Sequence, residues 1–127
     1  RGHGLIVGDA RTILQLQRGG QRSDYRAGDG VNILTSQGAD DVREHMNIDG
    51  MTAIDDSTGI VHANRVFAKE LPPGHGGSRR AASIYFSSKI PGCVVYMISQ
   101  DTRGEVLAFR DGNATPIPID DDDTEPG

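Results

Sequence analysis

The chain has 127 residues, the length of about one domain, and a chain of this size buries roughly two-thirds of its unfolded surface without a disulfide or structural metal. Only 5% of it is aromatic and Trp is absent, so the core has to be built from Ile, Val, Leu and Ala. The formal charge of −5 rests on Asp120, Asp121, Asp122, Asp123 and Glu125; the remainder is neutral, which excludes the basic face that binding nucleic acid directly would demand.

No run of ~20 apolar residues is present to span a membrane, and no basic start followed by an apolar stretch marks a secretory signal. The single cysteine, Cys93, cannot pair within the chain. This favours a reducing compartment, and a cytoplasmic location is expected. Cys93 itself reads as a small buried hydrophobe heading an apolar strand. Asn113-Ala114-Thr115 fits a glycosylation sequon, with no other sign of secretion.

Leu5-Ile6-Val7 is a short apolar run ending at Gly8-Asp9, a buried strand with a turn behind it. Ile13 to Leu16 suits a second strand or a short helix, ended by Gly19-Gly20. Residues 17 to 30 are polar and glycine-rich and read as loop. Between Gly38 and Asn47, Val42 and Met46 form an i, i+4 apolar pair behind acidic residues that suit a helix start, so a short helix is expected. Met51 to Ile54 and Ile60 to Val66 are strand-like, and the turn formers Asp55-Asp56-Ser57-Thr58-Gly59 between them predict a β-hairpin.

Leu71 to Gly77 is broken by Pro72, Pro73 and Gly74 and has to be a loop. Ser78 is a good N-cap; Ala82, Tyr85, Phe86 and Lys89 then share one helical face until Pro91-Gly92 stops the helix. Cys93 to Ile98 is almost unbroken apolar sequence, as for a strand buried on both faces. Arg103-Gly104 turns the chain into a last strand, Glu105 to Phe109. The acids within residues 120–127 read as a solvated, disordered tail or linker behind a domain of residues 1–119. The order strand, helix, hairpin, helix, strand, strand predicts an α/β fold: a single domain with a central mixed β-sheet flanked by helices.

Two stretches could carry chemistry. A helix N-terminus presents unpaired N–H groups and a partial positive charge, which attract anions. Gly76 and Gly77 let backbone approach a ligand closely just ahead of Ser78. Arg79 and Arg80 then occupy the first turn, where each cation opposes the helix dipole by roughly 0.3–1 kcal/mol. A bound phosphate would offset that; the alternative is a pair of solvated surface arginines. No Gly-Lys-Ser/Thr follows, so this is not a P-loop, and Gly2, Gly4 and Gly8 precede or end a strand rather than follow one, so they are not a dinucleotide fingerprint.

Asp49-Gly50 stands where a loop enters the strand at Met51. A carboxylate there can hold a divalent metal or take a proton from a hydroxyl; Asp-Gly is equally a turn dipeptide. His3, His45, His62 and His75 are too far apart for metal-ligand spacing. His62 reads as a surface or satisfied sheet residue, and His75 as loop filler. No Gly-x-Ser-x-Gly elbow supports a serine hydrolase.

In order and approximate spacing, these motifs resemble the diadenylate cyclase domain family, found in DNA-integrity scanning proteins and other cyclic di-AMP synthases. Gly4-Leu5-Ile6-Val7 is similar to the family's opening Gly-Ala-Leu-Ile-Val, Asp49-Gly50-Met51 to its Asp-Gly-Ala, and Ile54 to Asn64 to the hairpin that follows. Gly77-Ser78-Arg79-Arg80 resembles its Gly-Thr-Arg-His-Arg-Ala-Ala motif, and Val94 to Gln100 its strand ending in Ser-Gln. The resemblance covers Gly4 to Phe109. It implies two ATP molecules held face to face by two protomers, with Mg²⁺ or Mn²⁺, and condensation to cyclic di-AMP with release of pyrophosphate. Asp49 would serve metal binding and hydroxyl activation, beside Gly50. Gly76, Gly77, Ser78, Arg79, Arg80 and Ser99 would contact the nucleotide.

The chain departs from that pattern in two places. One basic residue of Arg-His-Arg is missing, and setting Gly77-Ser78-Arg79-Arg80 against Gly-Thr-Arg-His leaves Ala81 where the second Arg belongs. Met51 puts a bulkier group than Ala beside the Asp-Gly dipeptide. The same residues also suit a nucleotide-binding sensor without turnover, or an interaction domain in which both motifs are turns.

Overall fold

The computed structural model describes residues 3–17, 50–71, 78–98 and 106–117. The helix expected between Gly38 and Asn47, the loops at 18–30 and 72–77, and the acidic tail lie outside them. The described chain runs β1 (His3–Gly8), α1 (Ala10–Gln15), β2 (Met51–Asp55), β3 (Val61–Val66), α2 (Ser78–Lys89), β4 (Val94–Ile98), β5 (Val106–Arg110) and β6 (Asn113–Ile117). The strands form one sheet in the order β3-β2-β1-β4-β5-β6. Only β1 and β2 pair in parallel, Leu5 opposite Thr52 and Val7 opposite Ile54; the other four pairings are antiparallel.

Local chemistry fixes the element ends. The Asp9 carboxylate accepts from the Thr12 backbone N–H at 3.0 Å and its hydroxyl at 2.6 Å. This cap starts a helix at Ala10 and resolves residues 13–16 as helix rather than strand. At the far end of α1, Leu16 O accepts from Lys69 N–H at 2.8 Å, and Gln17 bridges Ala68. The β2–β3 hairpin forms as predicted. Its register shifts on both sides of Ala53, because β3 carries extra residues that bulge and twist this edge of the sheet. A second hairpin, β5–β6, turns at Asp111 (φ 53) and Gly112 (φ 82), the two positive-φ residues of a type I′ turn. The sequence reading ended its last strand at Phe109 and did not anticipate β6.

The core lies on one face. Ile6 is registered with Ala53 and Val95, and Val95 with Phe109; all four are at most 1% exposed. Ile13 of α1 and Ala82, Tyr85 and Phe86 of α2 join the same cluster, with the Tyr85 and Phe86 rings edge to face at 5.5 Å. Both described helices therefore pack on the same side, and the α/β domain is mostly mixed sheet rather than a sheet flanked by helices. The opposite face is buried at Thr52 and Ile54 but only half-buried at Leu5, Val7, Val94, Tyr96 and Ile98. That corrects the expectation of a β4 buried on both faces: Val95 alone of its five residues is fully buried, since α2 covers one side only. Cys93 is 2% exposed, as expected of a small hydrophobe, and burial, helped by Asp56, pushes its thiol up to about 12.

Candidate functional site

Strand directions decide which residues can meet. β1 and β2 run one way, and β3 and β4 run the other. The starts of β1 and β2 therefore share one end of the sheet with the last residues of β3 and β4, Val66 and Ile98, and with the start of β5. Helix α2 is joined to β4 by only Ile90 to Cys93, so its C-terminus lies at the opposite end. Its twelve residues rise ~18 Å, about the ~16 Å length of a five-residue strand, and return its first turn toward the end where Gly50 and Ile98 stand.

Gly50, half-buried, enters β2 with φ 92, a conformation that favours glycine. Asp49 precedes it and lies outside the described residues, as do Gly76, Gly77 and Ser99. Ser78 opens α2, and its side chain is likewise outside the description. Arg79 is half-buried and Arg80 exposed. No acid stands in this first turn, so the dipole and two arginines all offer positive potential to an anion. The Arg80 guanidinium lies 5.6 Å from the centroid of the Phe109 ring. Sequence reasoning did not find that contact, because nothing in the spacing of 80 and 109 pairs them before the sheet order is known.

The other end of the sheet carries the C-termini of the parallel pair, where α/β proteins commonly bind ligands. Asp9, Asp55 and Asp56 stand there, and their chemistry is structural. Asp55 accepts from Ser57 Oγ at 2.6 Å, Thr58 Oγ1 at 3.0 Å and Ala10 N–H at 3.2 Å. Those bonds, the Ser57 hydroxyl foremost, hold its carboxyl below the usual range against the opposing effect of burial. Its acceptor capacity is consumed by the chain's own turn and by α1. Among the described residues no group of three or more His, Cys, Asp or Glu could hold a metal ion. His62 is half-buried on β3, as the sequence suggested, but its Nδ1 is buried with no hydrogen-bond partner among the described residues.

Comparison with known proteins bears on the fold. No family model matches the chain, and no curated protein sequence matches it. Two solved structures do. One is a hypothetical membrane spanning protein from Bacillus cereus, at TM-score 0.58 and 17% identity over 93% of this chain. The chain spans 55%, about half, of that protein's length. The other is a double mutant of DacA from Staphylococcus aureus, at TM-score 0.54 and 13% identity, covering 91% of this chain and 73% of that one. At such identities the likeness is one of fold. Among the described residues, no helix is long and apolar enough to cross a membrane.

Proposed function

We propose that this chain is a nucleotide-binding domain of the diadenylate cyclase type, which condenses two ATP into cyclic di-AMP and two pyrophosphates. The observation that carries the reading is the convergence at one sheet end of the α2 first turn, with Arg79 and Arg80 and no acid, on Gly50 and the end of β4. The fold likeness to DacA supports it. In this reading each ATP 3′-oxygen forms a bond to the other's α-phosphorus as the bond to the β-phosphate oxygen breaks. Asp49 takes the hydroxyl proton, and the helix terminus with Arg79 and Arg80 steadies charge on the phosphates. Gly76, Gly77, Ser78 and Ser99 complete the nucleotide contacts, and the partner protomer supplies the second ATP.

Burial informs how the basic motif aligns. Ala81 and Ala82 are 4% and 5% exposed, positions that cannot take a guanidinium without displacing the core. A register that keeps both as the motif's Ala-Ala, with the exposed Arg80 as its second Arg, fits this packing better than one that replaces that Arg by Ala81. For the metal, a lone carboxylate at Asp49 suits Mg²⁺ or Mn²⁺, which bind through one or two carboxylates plus substrate phosphates; the ion would neutralise phosphate charge. A second reading, a nucleotide sensor without turnover, is favoured by Arg80, whose guanidinium already rests on Phe109.

Incubation with ATP and Mn²⁺ followed by mass spectrometry tests both. Cyclic di-AMP is the expected product. ATP bound at high protein concentration without product would leave the sensor, and no ATP binding would defeat both.

A further inference from the structure

Gly4 and Met51 meet across the parallel pair. Leu5 opposite Thr52 puts Gly4 beside Met51, and the Met51 side chain, 3% exposed, lies across the Gly4 backbone. A methyl group at position 4 would overlap the Met51 terminal methyl and sit 2.9 Å from its Cγ and 3.3 Å from its Sδ. The far tip of a methionine can swing aside; its Cγ, one bond beyond Cβ, moves only if the whole side chain adopts another rotamer. That side chain is packed among buried residues including Ala53 and Val66. On the β3 side, Met51 opposes Val66, but the register slips between Met51 and Ala53, so the hairpin ladder holds the start of β2 poorly. Gly50, immediately before, has the left-handed φ of 92.

We propose that Gly4 and Met51 are a fitted pair that positions Gly50, and through it the nucleotide subsite at that sheet end. The notch at Gly4 accepts the Met51 side chain, and the seated side chain fixes where the chain enters β2. The consequence for nucleotide rests on the reading above; the consequence for Gly50 does not. Met51 is then a positioning residue that acts through backbone, and its bulk is directed into the core rather than toward a ligand.

The test compares Gly4→Ala, Met51→Ala and the double variant with Gly8→Ala. Gly8 lies at the far end of the same strand, where an added Cβ would meet Cys93 Cβ and Sγ at 3.1 Å, so it reports loss of stability without touching Gly50. Two readouts are taken below each variant's Tm: the amide resonance of Gly50, and affinity for ATP with Mn²⁺ by calorimetry. Gly4→Ala is expected to shift the Gly50 resonance and weaken ATP binding about tenfold, a coupling typical of residues in contact. The double variant should recover both to near wild type, and Gly8→Ala should change neither. An unmoved Gly50 in folded Gly4→Ala, or no recovery in the double variant, overturns the pair. If Gly4→Ala fails to fold, Met51→Ala alone decides, since it too must move Gly50. Wild-type protein that binds no ATP defeats the nucleotide reading, and the Gly50 resonance still judges the pair.

Discussion

The guanidinium of Arg80 over the Phe109 ring contributes about 0.5–1 kcal/mol at an exposed site, less than the roughly 1.5–3 kcal/mol of a hydrogen bond to a charged group. A phosphate can therefore draw Arg80 off the ring. Arg80→Met separates the two roles, because it keeps an apolar stem against Phe109 and removes the charge. Thermal unfolding should place its Tm within a few degrees of wild type, while calorimetry should find ATP affinity lower by about tenfold or more. Undiminished affinity would confine Arg80 to packing and leave Arg79 with the phosphates. At the opposite sheet end, the Thr12 hydroxyl and backbone N–H hold the Asp9 carboxyl low, and the Ser57 hydroxyl leads the bonds that do so for Asp55. A carboxylate whose folded-state pKa is depressed stabilises fully above its unfolded value of about 3.9, and that stability is lost as pH falls through the folded value. Asp55→Asn should thus lower Tm at neutral pH, and the gap from wild type should close on acidification below about pH 4. A gap that stays constant across that range would show that the Asp55 charge is not what holds the turn.

Among the elements, Gly112 gives the cleanest measure of backbone cost. Its φ is 82, yet an added Cβ would meet only ordinary contacts, Ser88 Cβ at 3.5 Å and Ile84 Cγ2 at 3.7 Å. Gly112→Ala should therefore cost the left-handed penalty alone, about 1–2 kcal/mol, read as a lower denaturation midpoint at unchanged slope. The same turn shows where the sequence was legible and where it was not. Asp111-Gly112 is as strong a hairpin signal as any in the chain, but Pro116 in the segment behind it argued against a strand. Proline is tolerated there because β6 pairs with β5 alone and is an edge among the described strands. Apolar runs and turn formers made β1, the β2–β3 hairpin and α2 legible, because each is decided within about ten residues. Asp9 was read as a turn residue, which left residues 13–16 open between strand and helix; its bond to Thr12 settles them. Burial of one face of β4 was not legible, since it depends on where α2 lies. The candidate site was legible as separate motifs only: that α2 and β2 begin at the same sheet end follows from strand direction, which no local pattern encodes.

For the molecule as a whole, the cyclase reading makes a demand that no single site can meet. Each chain offers one α2 first turn, and condensation of two ATP needs two such ends facing each other. ATP binding should then be set within one chain: at a ligand concentration one hundred times Kd it should add about 2.7 kcal/mol of stability and raise Tm by about 10 °C, whatever the protein concentration. Turnover should instead follow the dimer. Below the dimer dissociation constant, doubling the protein should raise the total rate of cyclic di-AMP formation about fourfold, because two chains must meet before either hydroxyl has a phosphorus to attack. Above it the rate should become proportional to protein. Measuring rate against protein concentration at saturating ATP and Mn²⁺ separates these regimes. Strict proportionality down to concentrations where sedimentation shows monomer would sink the face-to-face arrangement, and a concentration-independent Tm shift without any product would mark the chain as a nucleotide sensor.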